Sequence, residues 1–128
     1  MQNMPADAAF NALRDDPTAV LCDVRTENEW RGTGVPDLAG LGKQVIFLEW
    51  VSGPGLPPNP DFLSRLRAAG VTESVPVYFL CRSGVRSAAA ALAADAAGWT
   101  HTVNISGGFE APGGWRASLL PIAPWRPQ

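Results

Sequence analysis

Cys81, Arg82, Ser83, Gly84, Val85 and Arg86 stand in succession between an apolar run, Val75 to Leu80, and an alanine-dominated run, Ser87 to Ala97, that ends at Gly98. The first run is short and rich in β-branched and aromatic residues, which predicts a buried strand; the second predicts a helix stopped by Gly98. A thiol is thereby set at the carboxyl end of a strand, beneath a helix N-terminus. The unpaired N–H groups of the loop and first turn converge there, and the helix dipole adds partial positive charge. Such a cradle binds anions and lowers a thiol's pKa, so the spacing predicts a nucleophilic thiolate at Cys81. Arg82 and Arg86 supply two cations, Ser83 a hydroxyl for an anionic ligand, and Gly84 the positive φ that a tight loop needs. The backbone N–H groups through Val85 and Arg86 complete an anion nest. A free cysteine ending a strand is, taken alone, most often an inert buried hydrophobe. Two arginines, a serine and a glycine around it suit a nest and suit a core poorly.

The elements that must hold this loop can be read on either side of it. The chain has 128 residues, 46% hydrophobic and 17% charged, which argues for one globular domain able to bury a core. A net charge of −2 argues against nucleic acid or an acidic membrane as partner, so attraction for anions is local, at Arg82 and Arg86. Two cysteines do not make a disulfide framework, and neither a signal peptide nor an 18-residue apolar run is visible. The expectation is a cytoplasmic domain whose thiols stay reduced.

Met1 to Met4 reads as loose, followed by a helix over Pro5 to Leu13 with Phe10 and Leu13 inward, stopped at Asp15-Asp16-Pro17. Ala19 to Val24, nearly all apolar, reads as a central parallel strand. Gly32 to Gly42 reads as a loop, Gln44 to Leu48 as a strand, and Glu49 to Pro58 as a Pro/Gly-rich connection. A helix runs from Asn59 to Ala69 with Phe62, Leu63 and Leu66 inward and Gly70 closing it. The helix after the cysteine is expected to pack through Val85, Ala89, Leu92 and Ala96, and His101 to Ile105 forms the last strand. Alternation of strands and helices predicts an α/β fold on a parallel sheet.

Several side chains admit two readings. Asp23, at the end of a buried strand, must find partners; it caps nearby N–H groups or tunes the neighbouring cysteine loop. Arg25 and Glu29 are spaced for an ion pair on one helix face. Cys22 reads as buried filler, with a reversible disulfide to Cys81 as the alternative. Trp50 anchors its loop or walls the pocket. Trp115, Pro121, Pro124 and Trp125 form a tail that wraps the body or shields the site. His101, the only histidine, opens its strand at the end away from the loop, which argues against a Cys–His pair. No metal cluster stands out, and no cofactor is expected.

At Cys81 to Ser87 the chain resembles the active-site loop of the single-domain rhodanese sulfurtransferases. Cys22 to Trp30 is similar to that family's Asp-Val-Arg segment with its Glu-aromatic pair, and Asn104 to Glu110 to its Asn-x-x-Gly-Gly stretch. The three motifs stand in the family's order and span most of the chain. Two features depart from it: Gly34 to Ala39 lacks the histidine usual there, and the short strand that normally precedes the first helix is not visible. Cysteine to arginine spans six residues, as in rhodaneses, whereas dual-specificity phosphatases use one more. A smaller ring of N–H donors suits one terminal sulfur better than a tetrahedral oxyanion.

The resemblance implies a rhodanese-like parallel sheet of about four to five strands with helices on both faces, and thiosulfate sulfurtransferase-type activity. Cys81 would take sulfane sulfur from a small anionic donor as a persulfide and pass it to a thiol or protein-thiol acceptor. Arg82, Ser83, Gly84, Val85 and Arg86 would hold the anion; Arg86 would alternatively tie the loop to a carboxylate such as Asp23. Arg25 and Glu29 take a structural role. The rival classes are a persulfide carrier or docking module without catalysis, and a Cys-dependent phosphatase or arsenate reductase.

Overall fold

Two largely buried strands lie side by side in the middle of the sheet. In the computed structural model, which describes residues 1–127, β2 (Val20–Asp23) runs parallel to β5 (Val77–Leu80), with Cys22 opposite Phe79 and Asp23 opposite Leu80. β4 (Ile46–Phe47) extends the sheet beyond β2, and β6 (Thr102–Ile105) pairs on the far side of β5. With β1 (Gln2–Met4) at the far edge, the order among the described residues is β1-β6-β5-β2-β4, five strands all parallel. Helices cover both faces, as buried strands require. Ala6, Ala9 and Leu13 of α1 (Ala6–Asp15) share one core with Phe109 and Trp115. Phe62 and Leu66 of α3 (Phe62–Ala68) and the alanines of α4 (Val85–Ala96) fill the other, together with Cys22 and Cys81.

Four expectations are corrected. The first strand is present: β1 (Gln2–Met4) pairs with β6, Asn3 opposite Asn104. Three residues of mixed polarity on a sheet edge carry no alternation to read; pairing alone makes them a strand. The segment read as a loop from Gly32 to Gly42 holds the end of α2 (Glu27–Thr33), a two-residue β3 (Val35–Pro36) and a 3-10 turn at Ala39–Leu41. β3 pairs antiparallel with β7 (Ile122–Ala123), a bridge too short to leave a period in the sequence.

Third, α4 buries a different face from the expected one. Its buried residues are Ser87, Ala90, Ala91 and Ala94, while Val85 is 76% and Leu92 53% exposed. The expected stripe of Val85, Ala89, Leu92 and Ala96 therefore points outward or sideways. The helix packs on β5 and β6 through its smallest side chains, which lets the backbone approach closely; valine and leucine on that face would hold it off. Fourth, α3 begins at Phe62, and the Asn59 side chain accepts a hydrogen bond from the Asp61 N–H in the turn before it.

The C-terminal segment wraps the body. The Trp115 indole is buried and its N–H donates to the Pro121 carbonyl at 2.7 Å. Trp125 lies 5.5 Å from Trp30 and 6.3 Å from Phe47 between ring centroids. Among the described residues no helix is long and apolar enough to cross a membrane.

Candidate functional site

β5 ends at Leu80 and delivers Cys81 to the floor of a turn that closes at the start of α4. Gly84 takes φ 103°, and a Cβ there would run into the Ser106 carbonyl; only glycine makes this turn. Its N–H donates to Cys81 Sγ at 3.1 Å, and Ser87 Oγ lies 3.2 Å from the same sulfur. Donors aimed at a sulfur favour negative charge on it. Cys81 itself is 1% exposed.

The third motif proves to be the brace of this turn. Phe109 N–H donates to the Cys81 carbonyl at 2.8 Å and Glu110 N–H to the Arg82 carbonyl at 2.9 Å. That approach needs Gly108, where a Cβ would lie 2.5 Å from the Arg82 carbonyl carbon. Asn104 on β6 donates through Nδ2 to the Gly84 carbonyl at 3.2 Å and to Asn3 Oδ1 at 3.0 Å, and accepts from Ser87 Oγ at 2.6 Å. The edge strand thus reaches the loop through Asn3.

The second motif is a buried clasp. Asp23 is fully buried; it accepts the Arg25 backbone N–H at 3.1 Å and the guanidinium at 2.8–3.1 Å through both oxygens. The same guanidinium donates to Thr33 Oγ1 and the Gly34 carbonyl and lies 4.1 Å above the Phe109 ring. Arg25 therefore ties the end of β2 to the end of α2 and to the turn that backs Cys81. It does not pair with Glu29, as its spacing predicted. Glu29 sits in a capping box with Thr26 at the start of α2, aimed at the cysteine loop, and meets Arg86 in a bidentate pair at 2.6 and 2.9 Å. Arg86 is thus tied structurally, with Glu29 in the place proposed for Asp23.

The pair sets the ionisation of both partners. Burial works to raise the Glu29 pKa, but hydrogen bonds and charge from Arg86 and the Thr26 N–H outweigh it and hold it at about 2, against 4.5 ordinarily. The hydrogen bond that Arg86 donates to Glu29 in turn pushes the guanidinium's pKa up, against the pull of burial. A depressed carboxylate stabilises the fold above its unfolded pKa and loses that contribution as pH falls through the folded one. Thermal melts of the wild type are therefore expected to drop more steeply than those of Glu29→Gln between pH 4.5 and about 2, with the variant lower at pH 7. Parallel profiles would remove the pair from the stability of the loop.

Arg82 and Ser83 are exposed, and Arg82 has no ion-pair partner among the described residues. Arg82, Arg86 and Glu29 line a cleft of about 400 Å³, faced by Val51, Pro54 and Leu56 of the Pro/Gly-rich connection. Val85 contributes backbone to the turn while its side chain faces out. Trp50 stands against Phe62, edge to face at 5.0 Å, and anchors the connection rather than walling the cleft. Cys22 is fully buried and free, its thiol pushed up first by burial and then by the charge of Asp23; it forms no disulfide with Cys81. His101 is exposed at the opening of β6, near Tyr78.

Ser87, at the sulfur, and Asn104, which accepts from Ser87, drew no role from the sequence. Both lie inside the motifs quoted for the resemblance, and that position is the signal they left.

The family model described as the STR4 middle domain matches residues 2–128. An uncharacterized protein of Rickettsia conorii is 37% identical over 126 residues, covering 94% of this chain and 96% of that protein. The crystal structure of Rv0390 from M. tuberculosis superposes with a TM-score of 0.85 at 42% identity over 98% of both chains. The polysulfide-sulfur transferase homodimer of Wolinella succinogenes shares the fold, with a TM-score of 0.72 at 23% identity over 96% of this chain and 78% of that one.

Proposed function

The chain belongs to the STR4 middle-domain family, whose fold is rhodanese-like, and from that membership we propose that it is a sulfurtransferase working through a persulfide on Cys81. The observation that carries this is the sulfur's seat: Sγ at the base of a six-residue turn, with the Gly84 N–H and the Ser87 hydroxyl upon it and two arginines at the cleft beside it. The thiolate of Cys81 attacks the outer sulfur of thiosulfate. The S–S bond of the donor breaks, its electron pair leaves with sulfite, and Cys81 holds the transferred sulfur. A thiol or protein thiol, or cyanide in an assay, then attacks that outer sulfur and returns the electron pair to Sγ. Among the described residues that line the cleft, Arg82 is the cation without an ion-pair partner and so is the one to meet the anionic end of the donor, since Glu29 already holds Arg86. The Gly84 N–H stays on Sγ, and the neighbouring N–H groups of Ser83 and Val85 stabilise the charged terminal sulfur. Such a thiol works where thiols are kept reduced, which supports a cytoplasmic setting.

Intact-mass spectrometry after incubation with thiosulfate tests the reading. The expected result is a gain of one sulfur atom, removed by cyanide as thiocyanate over repeated cycles, with no hydrolysis of an aryl phosphate. A single loading without turnover would leave a carrier. No gain from thiosulfate or mercaptopyruvate, with aryl phosphate hydrolysed, would replace sulfur transfer by phosphatase chemistry.

A further inference from the structure

Ser87 stands on the first turn of α4, fully buried, between two atoms that both accept from it: Asn104 Oδ1 at 2.6 Å and Cys81 Sγ at 3.2 Å. A hydroxyl has one proton to donate. The amide of Asn104 cannot turn to relieve this, because its Nδ2 donates to the Gly84 carbonyl, which only accepts, and to Asn3 Oδ1. Oδ1 therefore faces Ser87 in every state. The other groups around the sulfur are fixed: the Gly84 N–H donates to Sγ, Arg86 is held by Glu29, and Asp23 is held by Arg25.

Building on the persulfide reading, we infer that Ser87 is a positioning hydroxyl whose proton follows the charge on Cys81 Sγ. When Sγ is a thiolate the hydroxyl donates to it. When Sγ is the neutral inner sulfur of a persulfide, the hydroxyl turns to Asn104 Oδ1, the stronger acceptor. The two half-reactions use this differently. In loading, the Sγ electron pair forms the new S–S bond, and Asn104 receives the hydroxyl that leaves the sulfur, so the nucleophile is released without stranding a donor. In discharge, the acceptor bonds the outer sulfur, the S–S bond breaks, and its electron pair returns to Sγ. Ser87 swings back to stabilise that leaving thiolate as it forms. No proton enters or leaves the site in either step. Ser87 thus serves discharge more than loading.

The test separates the half-reactions by rapid quench. Loading is followed with thiosulfate by intact mass, and discharge from preloaded protein by thiocyanate formed with cyanide. Ser87→Ala, whose smaller side chain fits the same space, is expected to slow discharge about tenfold while loading stays within about twofold of wild type. Ser87→Thr, which keeps the hydroxyl, is expected to discharge within about threefold of wild type. Equal slowing of both half-reactions in Ser87→Ala marks a merely structural serine and overturns the inference. So does unchanged discharge, or failure of Ser87→Thr to restore it. A wild type that never loads overturns the persulfide reading and this one together; a wild type that loads normally confines any failure to Ser87.

Discussion

Cys81→Ser is expected to fold normally, take up no sulfur from thiosulfate and form thiocyanate at least about a thousandfold more slowly than wild type. Fold and function separate cleanly at this position. The side chain is buried in the core formed by α3 and α4, and serine nearly matches its shape. The new hydroxyl would find the Gly84 N–H and Ser87 Oγ already in hydrogen-bonding range of the position, so it would not be stranded. What disappears is the only atom in the turn that can form a persulfide. Cys22 cannot take over: it is fully buried, and burial pushes its thiol away from the thiolate form. Mass spectrometry of the loaded protein and a thiocyanate assay check the result; retained turnover would remove Cys81 from the reaction.

Arg25→Met is expected to be the most damaging change to stability, costing about 3–5 kcal/mol by urea unfolding. The substitution keeps length and apolar bulk but leaves the buried Asp23 carboxylate, among the described residues, with one backbone N–H. Thr33 Oγ1 and the Gly34 carbonyl lose a donor as well, and the Phe109 ring loses the cation above it. Replacing both partners, Asp23→Leu with Arg25→Met, is expected to recover much of the loss, because the cost lies in the unpaired charge rather than in the missing attraction. A loss below about 1 kcal/mol in the single variant, the range of an exposed pair, would show that Asp23 is satisfied without the guanidinium.

The strand, turn and helix around Cys81 were legible because each is set by neighbours in the chain: an apolar run ending at Leu80, a glycine at the one position with φ 103°, and an alanine run ended by Gly98. Asp23, a carboxylate ending a buried strand, was likewise legible as a residue that must find partners. Choice of partner was not legible. Glu29 and Arg25 had the right spacing for each other, yet Glu29 reaches Arg86, 57 residues away, and Arg25 closes on Asp23, because the β2–β5 register brings the start of α2 over the cysteine loop. The facing of α4 was hidden for a related reason. Its alanine-rich sequence has little amphipathic direction, so steric fit against β5 and β6 chose the face with Ser87 and left Val85 and Leu92 outside. β1 shows the same limit at its plainest, since Gln2–Met4 becomes a strand only where β6 offers an open edge. Local pattern in this chain determined which elements form and where the sulfur stands. Long-range packing, which short windows do not encode, decided which side chains surround that sulfur.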